Sequence, residues 1–190
     1  MLLLVIPILI QVLLSGSPAL ALDPDRAITQ YGHDVWQLEQ GLPQNSIDAI
    51  TQTADGFLWV GTEEGFARFD GVRFTVFNRH NTKELKDKDI KELYGDSEGS
   101  LWIGTATGGL ARLKDGEFTT YTTGDGLLPG GVVSICEGKD GSLWIGVYGA
   151  GLNHLRGGTF TSYTTSEGAC EQPCEHGLRR PGGQRLGGHR

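Results

Sequence analysis

Few side chains in this sequence have the type and spacing that catalysis or metal binding requires. His33, His80 and His154 fall at different offsets within the sequence repeat, so nothing predicts that they converge as metal ligands. The sequence contains no Gly-x-Ser-x-Gly elbow, no His-Glu-x-x-His helix and no P-loop. We therefore expect no catalytic residue, no metal, no cofactor and no enzymatic activity.

Acidic residues recur next to glycine in four pairs. These are Asp55-Gly56, Asp70-Gly71, Asp115-Gly116 and Asp140-Gly141. A calcium site needs several oxygen ligands converging in one loop, whereas a single Asp-Gly pair is typical of a hairpin turn. The pattern favours turns over calcium.

Cys136 is the one cysteine inside the repeats, at the same repeat position as Thr51 and Tyr94. A lone thiol in a strand is expected to be a small packed residue rather than a nucleophile.

The secondary structure that must position these residues can be predicted from a four-residue motif that occurs three times. It reads Leu58-Trp59-Val60-Gly61, then Leu101-Trp102-Ile103-Gly104, then Leu143-Trp144-Ile145-Gly146. The tryptophans are 43 and 42 residues apart, a period typical of propeller blades. Each Trp is expected to wedge between neighbouring blades, and each Gly to permit a close approach or a turn. A tryptophan platform for bases or sugars is the alternative.

Each period contains four short alternating segments joined by hairpin turns, which predicts an all-β fold of four-stranded antiparallel blades. The predicted blades are 41–79, 80–122 and 123–168, after a lead-in of residues 22–40 with a strand at His33–Leu38. Propellers usually have four to eight blades. Three blades therefore predict an incomplete ring whose exposed strand edges favour self-association.

Both termini differ from the repeats. Residues 1–21 are apolar and end in Ala19-Leu20-Ala21, which predicts a signal peptide, export, and a mature start at Leu22.

The net charge of −7 argues against a nucleic-acid partner. Residues 169–190 have no strand pattern and predict a disordered tail. Back-translated one nucleotide out of frame, they can encode a fourth repeat, so we hypothesise a frameshift there, which would make Cys170 and Cys174 artefacts.

The repeats resemble the two-component regulator propeller repeat. The resemblance covers Trp36 to Gly168 and is carried by Gly41-Leu42-Pro43 and Asp55-Gly56-Phe57-Leu58-Trp59-Val60-Gly61-Thr62. The second repeat departs from it, with Glu84-Leu85-Lys86-Asp87 in place of Gly-Leu-Pro. The resemblance implies a periplasmic sensor propeller of a bacterial membrane receptor. In full-length relatives, a membrane helix and a histidine kinase or diguanylate cyclase output domain follow.

Two functions remain open at the level of sequence. The favoured one is a sensor module that binds a small molecule or a glycan. The alternative is a secreted propeller enzyme of the lyase or glycoside hydrolase type, which would use a histidine or paired carboxylates. Loops at the ends of a propeller carry recognition, and the candidate ligand-binding residues are Glu63, Glu64, Thr107 and Tyr148.

Overall fold

Strands of four to six residues follow one another in the computed structural model, which describes residues 34–107 and 109–164. Blade 1 contains β1 (Ala49–Gln52), β2 (Leu58–Thr62), β3 (Gly65–Phe69) and β4 (Phe74–Phe77). Blade 2 contains β5 (Ile90–Gly95), β6 (Leu101–Thr105), β7 (Leu110–Lys114) and β8 (Glu117–Tyr121). Blade 3 contains β9 (Val132–Glu137), β10 (Leu143–Val147), β11 (Gly151–Arg156) and β12 (Thr159–Tyr163). Each blade is an antiparallel meander with its strands in sequence order, which confirms the predicted all-β fold.

The Asp-Gly pairs lie at hairpin turns. Gly56, Gly71, Gly116 and Gly141 have φ between +75° and +94°, a backbone conformation that glycine adopts without strain. At the β3–β4 turn, the Asp70 carboxylate accepts hydrogen bonds from the backbone N–H groups of Val72 and Arg73, both at 2.9 Å. These bonds lower the pKa of Asp70. Asp70 therefore stabilises its turn, in agreement with the turns that the Asp-Gly pairs predicted.

The strand register gives every blade two different faces. Trp59, Trp102 and Trp144 pair with Thr51, Tyr94 and Cys136 on the preceding strand. We call the side that carries the tryptophans the Trp face. The opposite side, which carries Val60, Ile103 and Ile145, is the aliphatic face.

The blades stack with the Trp face of one against the aliphatic face of the next. In the first interface, Trp59 and Phe66 of blade 1 share a buried cluster with Leu101 and Ile103 of blade 2. In the second, Trp102 and Leu110 of blade 2 share one with residues of blade 3, among them Ile135, Leu143, Ile145 and Leu155. The hydrophobic core therefore lies between the blades. This explains why a four-stranded unit of this size needs a neighbour.

Glycine sets the distance between neighbouring blades. A Cβ atom added to Gly61 would lie 2.8 Å from Ile90 Cγ2, and one added to Gly104 would lie 2.7 Å from Val132 Cγ1. Real Cβ atoms do not approach other carbon atoms that closely. Each glycine therefore forms a depression that receives a β-branched side chain from the next blade.

The predicted lead-in strand is wrong at its described residues. Residues 34–37 are irregular, and Leu38–Gln40 form a short 3-10 helix. The Gln40 side chain accepts a hydrogen bond from the Gln37 backbone N–H at 2.8 Å, and Gly41 ends the turn in the left-handed conformation with φ +102°. An alternating pattern makes a strand only where a partner strand is present, and here local bonds form a turn instead. His33 lies outside the described residues.

The predicted signal peptide (1–21) and the tail (169–190) also lie outside the described residues. Within residues 34–107 and 109–164, no helix is long and apolar enough to cross a membrane.

Candidate functional site

The four candidate ligand-binding residues lie at one end of the blades, opposite the Asp-Gly hairpins. Glu63 and Glu64 follow β2, Thr107 follows β6 and Tyr148 follows β10. In an antiparallel meander, these loops lie at the same end as the connections between blades. We call the loops after β2, β6 and β10, together with residues 78–89 and 122–131, the loop end. All four side chains there are exposed.

Two of the candidates are held by the connection between blades 1 and 2. Glu64 Oε1 forms an ion pair with Lys88 Nζ at 2.5 Å. Thr107 donates to Asp87 Oδ2 from its backbone N–H at 2.8 Å and from its hydroxyl at 2.7 Å. These contacts anchor the loops after β2 and β6 to the same short segment.

Hydrogen bonding shifts the pKa of both groups in that segment. Partial burial of Asp87 raises its pKa, but bonds from Thr107, Asp89 and Lys88 outweigh the burial and hold the pKa below its usual value. The hydrogen bond to Glu64 raises the pKa of Lys88. Both groups are therefore charged at neutral pH.

Lys91 extends this charged segment onto the blade interface. Its Nζ lies 2.9 Å from Asp48 Oδ2 of blade 1 and 2.7 Å from Asp89 Oδ1. The hydrogen bonds to Asp89 and Asp48 raise the pKa of Lys91. The ammonium group thus joins the residue that precedes β1 of blade 1 to β5 of blade 2.

The other two candidates expose side chains that a ligand could use. Glu63 donates its backbone N–H to Gln44 Oε1 at 3.2 Å, and its side chain is exposed. Tyr148 donates its backbone N–H to Gly131 O at 2.8 Å, and 71% of the residue is exposed. These backbone bonds fix the position of each residue while its side chain faces solvent.

A crevice of about 280 Å³ lies between blades 1 and 2 at the hairpin end. Its lining includes Trp59, Arg68, Asp55 and Asp115. The Arg68 guanidinium lies over the Phe57 ring, 4.3 Å from its centroid, and Arg68 Nε is buried without a hydrogen-bond partner. This crevice therefore offers a charged group with an unused hydrogen-bond donor at the hairpin end.

Sequence reasoning missed Lys88, Asp87 and Arg68. For Arg68, the signal is a repeat position: the equivalent Arg112 donates from Nε to Ser100 Oγ at 2.9 Å. Phe57 replaces Ser100 in the first repeat, which removes that partner. For Lys88 and Asp87, the signal is the charged segment that replaces Gly-Leu-Pro in the second repeat.

Cys136 corrects a prediction, because it is exposed rather than packed. It lies on the Trp face of blade 3, where no following blade covers it among the described residues. His154 stacks on Trp144, with ring centroids 4.1 Å apart. In the described part of the chain, no group of three or more His, Cys, Asp or Glu side chains could hold a metal ion.

Comparison with known proteins assigns the repeats. The two component regulator propeller family matches residues 41–64, 84–107 and 126–149. Each matched segment includes the connection into a blade and its Trp strand. The match therefore recurs once in every blade described above.

Solved structures of bacterial extracellular domains share this fold. The extracellular domain of BT3049 from B. thetaiotaomicron, assigned to a hybrid two component system, is 30% identical with a TM-score of 0.65. That likeness covers 70% of this chain and 20% of the other. The extracellular domain of BT4673 from the same organism is 22% identical, with a TM-score of 0.57 over 68% of this chain and 20% of the other.

A curated relative shows the same kind of similarity. Histidine kinase P4 of Formosa agariphila is 29% identical over 83 residues, which is 40% of this chain and 6% of the relative. The chain thus spans a fifth or less of the length of these proteins. Each of its three described blades carries one match to the two component regulator propeller family.

Proposed function

We propose that this chain is an extracytoplasmic sensing module of a two-component-type receptor, which acts by binding a ligand rather than by catalysis. The observation that carries the proposal is the similarity of 70% of this chain to the extracellular domain of BT3049. The match to a histidine kinase supports a kinase domain as the output of the full receptor. The predicted signal peptide is consistent with a periplasmic location.

The loop end is the proposed ligand-binding surface. The exposed Tyr148 ring offers an apolar face on which a sugar can stack, and its hydroxyl can donate or accept a hydrogen bond. The Glu63 carboxylate can accept hydrogen bonds from ligand hydroxyl groups. The proposed ligand is an uncharged small molecule or glycan.

Isothermal titration of the full chain with maltohexaose, xylohexaose and cellohexaose tests this surface. We expect one of these glycans to bind, and Tyr148→Ala to weaken binding up to about tenfold through loss of stacking. Glu63→Gln is expected to weaken it less, because an amide oxygen still accepts a hydrogen bond.

Val72→Ala is the matched control, since Val72 is 85% exposed but lies in the β3–β4 hairpin at the opposite end. Binding that survives Tyr148→Ala and Glu63→Gln unchanged would contradict the loop-end site. Cleavage of a glycan during the titration, detected by chromatography, would contradict the proposal that the chain does not catalyse a reaction.

A further inference from the structure

The crevice between blades 1 and 2 at the hairpin end contains a cation that the protein leaves without a partner. Arg68 forms no hydrogen bond and no ion pair with the described residues, and its Nε is buried. The guanidinium carbon lies 4.3 Å from the centroid of the Phe57 ring and 5.9 Å from that of Trp59. These rings attract the cation but do not replace an oxygen acceptor for its N–H groups. The terminal N–H groups of Arg68 are therefore available to a ligand in the crevice.

The next blade shows how the protein satisfies an arginine at this position. Arg112 pairs with the tryptophan of blade 2 as Arg68 does with that of blade 1. Its Nε donates to Ser100 Oγ at 2.9 Å, and its Nη2 lies 3.5 Å from Glu98 Oε2. Phe57 stands at the position of Ser100 in blade 1 and has no acceptor in its side chain. The unpaired state is thus particular to Arg68 and is not a property of the repeat.

Two carboxylates line the same crevice without pairing with Arg68. Asp55 and Asp115 are both exposed. Asp55 Oδ1 accepts a hydrogen bond from the Thr53 hydroxyl at 2.5 Å, while Oδ2 has no partner among residues 34–107 and 109–164. The Asp115 side chain forms no hydrogen bond or ion pair within the same ranges. Between blades 2 and 3, Gly157 occupies the position of Asp115, so the second carboxylate is also particular to this crevice.

Aromatic side chains supply the apolar part of the lining. Phe77 and Phe118 are half-buried, with ring centroids 6.3 Å apart, and Trp59 and Leu101 are buried behind them. The crevice has a volume of about 280 Å³. Small-molecule sites are typically concave and apolar, with a few polar groups that fix the orientation of the ligand. This crevice combines such a surface with one unpaired cation and two available carboxylates.

The charges of the lining select the class of ligand. Asp55 and Asp115 would repel a simple anion, and Arg68 would repel a simple cation, whereas a zwitterion can satisfy all three groups. We propose that this crevice binds a free α-amino acid with a large apolar side chain. Its carboxylate accepts hydrogen bonds from the terminal N–H groups of Arg68, a pairing that guanidinium geometry favours. Its ammonium group donates to Asp55 and Asp115, and its side chain packs on the exposed parts of Phe77 and Phe118.

This site lies at the opposite end of the blades from the proposed glycan surface. It involves none of the loop-end residues, and its ligand carries charges that the loop-end ligand lacks. The inference therefore does not depend on glycan binding.

Isothermal titration of the full chain with L-phenylalanine and two analogues tests the charge pattern. 3-Phenylpropanoate lacks the ammonium group, and 2-phenylethylamine lacks the carboxylate. We expect L-phenylalanine to bind and each analogue to bind at least about tenfold more weakly, because each loses one set of charge-assisted hydrogen bonds. Absence of L-phenylalanine binding at concentrations up to about 10 mM would overturn the proposal. An analogue that binds as tightly as L-phenylalanine would also overturn it, since the crevice would then recognise only an anion or only a cation.

Two substitutions in the crevice, each with a matched control, locate the site. Arg68→Gln is expected to weaken L-phenylalanine binding at least about tenfold, and Asp115→Asn about three- to tenfold. Arg73→Gln and Glu117→Gln are the controls, because they remove the same charges from exposed hairpin positions outside the lining and should leave binding unchanged.

The fold of each variant is checked by circular dichroism and urea denaturation. Asp115→Asn keeps the test decisive if Arg68→Gln unfolds, because the Asp115 side chain is exposed and bonds to no described residue. Binding of L-phenylalanine that is unchanged in Asp115→Asn, or in a folded Arg68→Gln variant, would contradict the proposed site.

Discussion

At the scale of single residues, the glycine that follows each tryptophan determines how closely two blades approach. Gly104 has no room for a side chain, because an added Cβ would lie 2.7 Å from Val132 Cγ1 and 2.9 Å from Val132 O. The second contact is with backbone, which cannot rotate away. The tight fit is therefore a property of the fold rather than of one rotamer.

Gly104→Ala is expected to destabilise the full chain by about 1–3 kcal/mol, the usual cost of overpacking a core. Urea denaturation followed by tryptophan fluorescence measures this change. Gly124→Ala is the control, because its added Cβ would meet only Thr122 Oγ1 at 3.5 Å. Equal midpoints for Gly104→Ala and Gly124→Ala would contradict the close approach of blades 2 and 3.

Single residues also show the limit of sequence reasoning at the candidate site. Tyr148 and Glu63 could be placed in loops, because the repeats fix where each strand ends. The bonds of Glu64 to Lys88 and of Thr107 to Asp87 could not be predicted. They join segments about 20 residues apart, and the connection that holds Lys88 and Asp87 has no repeat pattern.

At the scale of elements, the connections between blades use two different backbone solutions. Before blades 1 and 3, a 3-10 turn ends at Gly41 or Gly126 in the left-handed conformation, with φ of +102° and +100°. Before blade 2, Glu84 occupies the position of this glycine. Glu84 is not in the left-handed conformation, because Asp115 is the only described non-glycine residue with a positive φ. Leu85 is nevertheless 2% exposed and occupies the same repeat position as Leu42 and Leu127. The buried leucine, rather than the glycine, is common to all three connections.

Gly126→Ala should therefore cost about 1–2 kcal/mol, because an L residue is strained at this φ and its Cβ would lie 3.2 Å from Phe160 Cβ. Glu84→Ala at the equivalent position is expected to change the free energy of unfolding by less than about 0.5 kcal/mol. Thermal and urea denaturation of both variants measure the difference. A Glu84→Ala variant as unstable as Gly126→Ala would show that the two connections share one geometry after all.

The strands were predictable and the lead-in was not, for one physical reason. A strand inside a blade has a partner in the adjacent repeat segment, so alternation of apolar residues suffices to identify it. Residues 34–38 alternate as well, but pairing depends on a strand from elsewhere in the chain, and local bonds from Gln37 and Gln40 form a turn. The exposure of Cys136 has the same origin, since burial depends on a neighbour beyond its own blade.

At the scale of the whole molecule, the interfaces between blades 1 and 2 and between blades 2 and 3 stabilise the fold in the same way. Each buries a tryptophan whose indole N–H donates a hydrogen bond within its own blade. Trp59 Nε1 donates to Thr53 Oγ1 at 2.9 Å, and Trp102 Nε1 donates to Asp96 Oδ2 at 2.8 Å. The third blade has Gly138 at the position of Thr53 and Asp96, so Trp144 lacks that side-chain acceptor. Blade 2 contributes to both interfaces and couples them into one unit.

Hydrogen exchange of the indole N–H groups, resolved by NMR, tests this stacking most directly. Trp36 is 40% exposed and serves as the unprotected reference. If the blades stack as described, the Trp59 and Trp102 indole hydrogens exchange slowly and with the same protection, because both open only when the array unfolds. Exchange of either indole hydrogen at the rate of Trp36 would contradict the stacked array of three blades.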